Sequence, residues 1–365
     1  MFHKTRQKFT VLFVALAATC LLVVPGCGDD SSSDTTEALS TTTVALATTT
    51  TVTPTTTVAP EPVEKPLIVV TTNILGDVVG KAVGDLFDVE TIMPPGADPH
   101  VFQASAKQVD RMMKADLLVV NGANFEEGLL DVIKGAESDG VKVFEAIDSV
   151  DPLEDNDKEE GHDDHDEEGH DDHDEEGHDD HHGHDHGGVD PHFFTDPGRM
   201  AQVVKQLSDF LVLNFPEIDE KDLVSHMTDY SKKLEDLDSE VMQTLSSIPT
   251  GSRVMVTNHE VFAYFAESYE FEILGTIIPS SSTLSNTSAK DLVDLAEKMK
   301  AEGVPAVFVD ASSSDALAEA LAGEVDGVKV VSLFSESLGA EDTAGSTYID
   351  MVRTNSELIA SALTG

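Results

Sequence analysis

Twelve of the fourteen histidines of this chain fall into two groups with different surroundings. Nine lie in one acidic stretch, whereas His100, His192 and His259 stand in separate, mostly turn-rich segments beside apolar runs. Neutral imidazole is a good ligand for zinc, and a carboxylate commonly completes a tetrahedral set. Each of the three could alone be a packed or surface residue, but together they predict a shared metal site.

The positions of these three histidines along the chain support that prediction. His100 follows a predicted strand, within Pro94–His100. His192 stands in Asp-Pro-His-Phe-Phe, and His259 follows the predicted strand Arg253–Thr257 and begins a predicted helix. In doubly wound α/β units ligands bind outside the carboxyl ends of the strands. We therefore expect the three histidines to meet in one cleft.

Short apolar or β-branched runs alternate with helical patterns in two series. This alternation predicts an α/β fold of two (β/α) lobes with mainly parallel sheets. The predicted strands of the first lobe are Leu67–Thr72, Val89–Met93, Leu117–Asn121 and Val141–Ile147, with helices over Ala104–Ala115 and Phe125–Ala136. Those of the second are Arg253–Thr257, Phe271–Ile277, Ala306–Asp310 and Lys329–Leu333, with helices near His259–Ser268, Ser288–Ala301 and Asp315–Gly323.

One long helix is predicted between the lobes. Apolar residues recur there at spacings of three and four, which indicates an amphipathic helix: Leu223, Met227, Tyr230, Leu234, Leu237, Val241 and Leu245. We place the N-terminal lobe at 67–220, this interlobe helix at 221–248 and the C-terminal lobe at 249–365. A single stiff helix would permit only modest closure, and its His226 is predicted to be a border or surface residue.

The N-terminus and the acidic stretch are predicted to lie outside the folded lobes. Residues 1–26 resemble a secretory signal, after which Cys27 would be lipidated and would anchor the chain to the extracytoplasmic membrane face. Residues 27–66 form a Thr/Pro-rich tether. A disordered loop over 154–188, built on the repeat GHDDHDEE, is a candidate low-affinity metal site; its histidines are His162, His165, His170, His173, His178, His181, His182, His184 and His186.

The net charge of −47 excludes some partners. Nucleic acids and anionic membrane surfaces are themselves polyanions, so neither is expected to bind this chain. With Cys20 in the signal and Cys27 acylated, the folded part has no cysteine left for a disulfide. Its stability must therefore come from its core.

Each of the three histidines stands in a longer motif. The motifs are Gly-Ala-Asp-Pro-His-Val-Phe at 96–102, Asp-Pro-His-Phe-Phe-Thr-Asp-Pro at 190–197 and Thr-Asn-His-Glu-Val-Phe-Ala-Tyr-Phe at 257–265. Together they resemble one family, the zinc- and manganese-type solute-binding lipoproteins of bacterial ABC importers. The resemblance covers Leu67 to the C-terminus, and the His/Asp-rich loop is typical of zinc-type members. It implies a metal between two lobes, with His100, His192 and His259 as ligands, and a membrane permease as partner.

The resemblance also implies a fourth ligand. Similar proteins carry an aspartate in a Phe-x-Asp-x-hydrophobic stretch after the last strand, and here Phe334-Ser335-Glu336-Ser337-Leu338 stands at that place. Glu336 has the same oxygen donors on a longer arm, so either Glu336 or water would complete the site. Manganese-type relatives tend to have glutamate in the position of His259, and a site rich in nitrogen suits zinc better than manganese.

We therefore expect a zinc-binding protein that delivers Zn²⁺ to an ABC permease, with Mn²⁺ as the alternative cargo. An enzyme is not expected, because a zinc hydrolase needs an open coordination position and a general base. Asn258-His259-Glu260 lacks the second histidine of a His-Glu-x-x-His motif. A surface adhesin of the same family, acting in cell adhesion, remains a further alternative.

Overall fold

The structure is a computed structural model that describes residues 65–154 and 188–364. The chain divides into two units, Met1–Glu61 and Pro62–Gly365, and every described residue belongs to the second. The predicted signal, Cys27, nearly all of the tether and all nine loop histidines lie outside the described residues. No helix in the described ranges is both long and apolar enough to cross a membrane.

The N-terminal lobe is built on a parallel sheet of four short strands. They are β1 (Leu67–Val70), β2 (Asp88–Thr91), β3 (Leu117–Val120) and β4 (Lys142–Glu145), in the order β2-β1-β3-β4. Helices α1 (Asn73–Val83), α2 (Ala106–Met112) and α3 (Leu130–Ser138) connect them. β1 and β3 are almost entirely buried, as their unbroken apolar sequences require in a sheet covered on both faces.

The C-terminal lobe repeats this topology. Its strands β5 (Val254–Thr257), β6 (Glu272–Thr276), β7 (Ala306–Asp310) and β8 (Lys329–Leu333) are parallel, in the order β6-β5-β7-β8. The helices are α6 (Ala263–Tyr269), α7 (Ala289–Glu302), α8 (Ala316–Glu324) and α9 (Tyr348–Thr364). In each sheet the first strand, β1 or β5, lies between the second and the third, so the order of the strands reverses beside it. This switch point is where α/β sheets form a ligand crevice.

Two helices join the lobes, α4 (Pro197–Asn214) and α5 (Glu220–Leu245). All seven apolar residues predicted for the inner face of α5 are buried, and His226 is exposed as predicted. One hydrophobic core runs from strand β1 through the inner face of α5 to β5, β8 and α9. Because the lobes share this core, α5 is packed along its length and is more than a linker.

The predicted fold class is confirmed, and the differences lie in the helices. The pattern analysis missed α1, α4 and α9. It also placed two helices too early, since α3 begins at Leu130 rather than at Phe125 and α6 begins at Ala263 rather than at His259. Residues Asn258–Glu260 instead bend after β5, and this bend turns the His259 side chain into the cleft.

Candidate metal centre

Four buried side chains from four separate segments meet between the lobes. His100 lies in the loop after β2, His192 precedes α4, His259 follows β5, and Glu336 follows β8. Their candidate ligand atoms all lie within 4.8 Å of one another. The Nε2 atoms of His100, His192 and His259 lie 2.9, 3.3 and 3.0 Å from Glu336 Oε1. The structure thus brings together the four residues that the sequence nominated.

The cluster is almost completely buried, yet some of its polar atoms have no hydrogen-bond partner. Relative exposures are 3 % for His100, 0 % for His192 and His259, and 2 % for Glu336. Three buried atoms of the cluster lack a hydrogen-bond partner: His192 Nε2, His259 Nδ1 and Glu336 Oε2. Leaving a buried polar atom unpaired costs free energy. A metal ion bound by His192 Nε2 and the Glu336 carboxylate would remove that cost for both residues, so the donor set fits a cation.

The charges of the four side chains lead to the same conclusion. Burial favours the neutral form of Glu336, but the interactions with His259, His100 and His192 outweigh it and hold the pKa of the carboxyl well below its usual range. Burial opposes protonation of His100, yet the hydrogen bonds with Glu127 and Glu336 raise its pKa to about 10. The pKa of His192 is also raised, because Asp190 and Glu336 outweigh the effect of burial. Positive charge is therefore stabilised where a metal would sit.

Two further carboxylates orient the histidine rings. Glu127 Oε1 lies 3.1 Å from Nδ1 of His100, and Asp190 Oδ1 lies 2.8 Å from Nδ1 of His192. Asp190 Oδ1 also accepts a hydrogen bond from the backbone N–H of His192 at 2.9 Å. When Nδ1 donates to a carboxylate, Nε2 is left as the ligand atom and becomes more basic. Neither carboxylate was identified from the sequence as part of the site.

The segment that carries Glu336 is held from both lobes. Asp310 Oδ2, at the end of β7, accepts hydrogen bonds from Glu336 N at 3.2 Å and from Ser335 Oγ at 2.6 Å. From the other lobe, Asn73 Nδ2 donates to Ser337 Oγ at 2.8 Å, and Asn73 Oδ1 accepts from Leu338 N at 2.7 Å. Asp310 is the last residue of β7, and Asn73 lies three residues after the end of β1. A position just at or beyond the carboxyl end of a strand is the signal that could have identified both.

Two other described residues considered from the sequence, His226 and Glu260, are not part of this cluster. His226 is exposed on α5. Glu260, the conceivable base of a hydrolase, is not part of the four-residue cluster and lines a small cleft with Glu154 and Asp190. The nine histidines of the predicted loop and Cys27 fall in parts of the chain that the structure does not describe.

Comparison with known proteins supports the resemblance over almost the same stretch of the chain. Residues 68–362 match the family model described as "ZnuA: Zinc-uptake complex component A periplasmic". The zinc-binding protein TroA of Treponema pallidum is 28 % identical over 305 residues, which cover 82 % of this chain and 89 % of that protein. The zinc-binding lipoprotein AdcA of Streptococcus pneumoniae is 30 % identical over 290 residues, 79 % of this chain and 54 % of AdcA.

Proteins named for manganese are also similar to this chain. The manganese ABC transporter substrate-binding lipoprotein PsaA of Streptococcus anginosus is 25 % identical over 311 residues, 82 % of this chain and 90 % of PsaA. Among solved structures, TroA superposes with a TM-score of 0.68 at 27 % identity, covering 82 % of this chain and 99 % of that one. A manganese-bound periplasmic protein from Candidatus Liberibacter asiaticus, at 20 % identity and TM-score 0.68, shares the fold.

The named relatives are substrate-binding proteins of transporters or metal-binding proteins, and none is named as an enzyme. With the two-lobe fold and the buried cluster in its cleft, the family match identifies what kind of protein this is. The chain belongs to the zinc-uptake component A family and is a metal ABC transporter substrate-binding protein of the zinc/manganese type.

Proposed function

We propose that this protein binds one Zn²⁺ ion through His100, His192, His259 and Glu336 and delivers it to the permease of an ABC importer. The observation that carries the proposal is the convergence of three buried imidazole nitrogens on one buried carboxylate. Three nitrogens and one oxygen form a donor set typical of tetrahedral zinc. Manganese prefers more oxygen ligands, and relatives named for each metal are similar to this chain.

The position of the cluster suits a carrier. Its donors come from both lobes, with His100 and His192 on one side and His259 and Glu336 on the other. Separating the lobes would therefore split the donor set in two and release the ion. The shared core along α5 would keep such a movement small. Release at the permease then requires only a modest opening of the cleft.

The proposal includes a membrane anchor and an accessory loop. Lipidation of Cys27 would hold the protein at the extracytoplasmic membrane face, in agreement with relatives named lipoproteins. The histidine-rich segment leaves and re-enters the lobe at an antiparallel bridge between Glu154 and Val189. Val189 is three residues from His192, so zinc gathered weakly by the segment would be concentrated near the cleft.

The test is a metal titration of the purified chain with a competing chelator, with Co²⁺ as a spectroscopic probe. We expect one tight zinc site and the intense visible absorption of tetrahedral Co²⁺. His100→Ala, His192→Ala and His259→Ala should each weaken binding by orders of magnitude, whereas the exposed His226→Ala serves as the matched control. Wild-type affinity in His192→Ala, or weak octahedral Co²⁺ bands, would contradict the proposed site.

A further inference from the structure

A serine-rich segment of the C-terminal lobe reaches across the mouth of the metal centre. This segment, Ser280–Ser285, lies between β6 and α7. Ser282 Oγ donates to Glu127 Oε1 at 2.5 Å, and Thr283 Oγ1 donates to Asp98 Oδ2 at 2.9 Å. Glu127 and Asp98 both belong to the N-terminal lobe. Two adjacent hydroxyls of one lobe therefore bind two carboxylates of the other.

Each of these carboxylates also holds His100. Glu127 Oε1, which accepts from Ser282, lies 3.1 Å from His100 Nδ1. Asp98 accepts from Thr283 with Oδ2 and from the backbone N–H of His100 with Oδ1, at 2.9 Å. The two carboxylates that the segment contacts thus hold the ring and the backbone of the same histidine. A displacement of His100 would disturb both.

The segment has internal hydrogen bonds that keep it in shape. Ser280 Oγ accepts from Ser282 N at 3.1 Å and from Ser285 Oγ at 2.8 Å. At its base, Glu260 N donates to Ser280 O at 3.0 Å, which ties the segment to the bend that carries His259. One end of the segment is therefore attached beside a histidine of its own lobe, and its tip contacts residues around a histidine of the other.

The segment borders the opening above His100. A cleft of about 470 Å³ is lined there by His100 and Glu127, by Ser281 and Ser282, and by residues 123–125, 188, 189 and 191. Two of these, Ala123 and Asn124, have the left-handed φ angles of 50° and 58°. Non-glycine residues in that region store strain and cluster at functional sites. The opening is thus formed by a specifically shaped loop on one side and the serine-rich segment on the other.

We propose that Ser280–Ser285 is a lid over the metal centre and that Glu127 and Asp98 are positioning residues that couple its closure to His100. This inference rests on the function proposed above. With His100 Nε2 as the ligand atom, Nδ1–H would donate a hydrogen bond to Glu127. The same carboxylate accepts a hydrogen bond from Ser282 Oγ. The hydrogen bonds of the lid join the two halves of the donor set, so they must break before the metal leaves.

The experiment measures the rate at which the zinc- or cobalt-loaded chain releases its metal to excess chelator. Ser282→Ala and Thr283→Val each remove one hydroxyl that crosses between the lobes and leave every ligand in place. A hydrogen bond to a charged group is strong enough for its loss to speed release by about tenfold. Leu284→Ala, which changes an exposed side chain in the same segment, should release metal at the wild-type rate.

Variants of Glu127 separate positioning from a general structural role. Glu127→Gln keeps an oxygen that can accept from both His100 and Ser282, so it should release metal nearly as slowly as wild type. Glu127→Ala should speed release, and adding Ser282→Ala to it should change little, because the shared hydrogen bond is already lost. The tetrahedral Co²⁺ spectrum should persist in Ser282→Ala and Thr283→Val.

Two outcomes distinguish failure of this inference from failure of the proposed function. If the histidine variants lose metal but Ser282→Ala and Thr283→Val both release it within twofold of the wild-type rate, the lid is refuted and the metal site stands. If wild-type protein shows no tight site that depends on the histidines, the proposed function fails first. Faster release in Leu284→Ala equal to that in Ser282→Ala would also overturn the lid.

Discussion

Asp190 offers a sharp test of how the protein tunes its metal site. Its Oδ1 contacts both Nδ1 and the backbone N–H of His192, at 2.8 and 2.9 Å, and the carboxylate is buried. In Asp190→Asn the amide oxygen can still accept these hydrogen bonds, but the negative charge is gone. Loss of such a carboxylate behind a histidine ligand typically weakens metal binding about 10- to 100-fold. That corresponds to about 1.4 to 2.8 kcal/mol.

The loss should depend on pH, because the same charge also favours a proton on His192. The pKa of His192 is raised, because Asp190 and Glu336 outweigh the effect of burial. At low pH zinc must therefore displace a proton from the wild-type ring, whereas the variant holds that proton less tightly. At low pH the weaker binding of zinc in the variant is therefore partly offset by the weaker binding of the competing proton. We expect the affinity difference between wild type and Asp190→Asn to be larger at pH 8.5 than at pH 6.5.

The assay is a zinc titration against a competing chelator at both pH values, with thermal unfolding as the check on folding. Asp151→Asn, which changes an exposed carboxylate of the segment leading into the loop, is the matched control and should bind like wild type. An affinity for Asp190→Asn within twofold of wild type at pH 8.5 would refute a role for this charge. An equal loss at the two pH values would show that Asp190 does not act through the protonation of His192.

Four further predictions follow from the site and the sequence. Glu336→Gln should weaken zinc binding less than loss of a histidine, and Glu336→Asp should be tolerated or bind more tightly; unchanged affinity in both variants, by chelator titration, would assign the fourth position to water. Because the pKa of His100 is raised to about 10, binding near neutral pH should release protons and apparent affinity should rise with pH; calorimetry in buffers of different ionisation enthalpy that detects no proton release would contradict this. Deleting 161–188 should reduce the stoichiometry to one zinc per chain without changing the tightest dissociation constant, and loss of tight binding would place a ligand in the loop. Cys27→Ser should release the protein from the membrane fraction, whereas continued membrane association would indicate an uncleaved signal segment.

Several features were predictable because they depend on local patterns. The spacing of Leu223, Met227 and Tyr230 identified the buried face of α5, since a helix presents every third and fourth residue on one side. The strands Ala306–Asp310 and Lys329–Leu333 were predicted with the observed bounds. Candidate ligands were also visible in the sequence, because few residue types bind zinc and strand ends are where α/β folds bind ligands.

The missed helices show where local patterns are insufficient. α1 contains Gly76, Gly80 and several valines, which have weak helix propensity. It is helical because most of its residues are buried against the core, and Gly76 is needed because a Cβ there would collide with Thr91. α4 did carry a local signal, since Asp196 caps a helix that begins with Pro197.

The amino-acid sequence by itself determined the two-lobe α/β class, the buried face of α5 and which side chains were available to bind a metal. Only the tertiary structure decided how those side chains are oriented. Glu127 and Asp310 act through hydrogen bonds of about 3 Å to residues 27 and 26 positions away, and such contacts depend on how the loops of each lobe pack. Glu127 touches His100 of its own lobe and Ser282 of the other. The physical reason is that periodicity encodes which face of an element is buried, whereas the meeting of residues far apart in sequence depends on the packing of the whole chain.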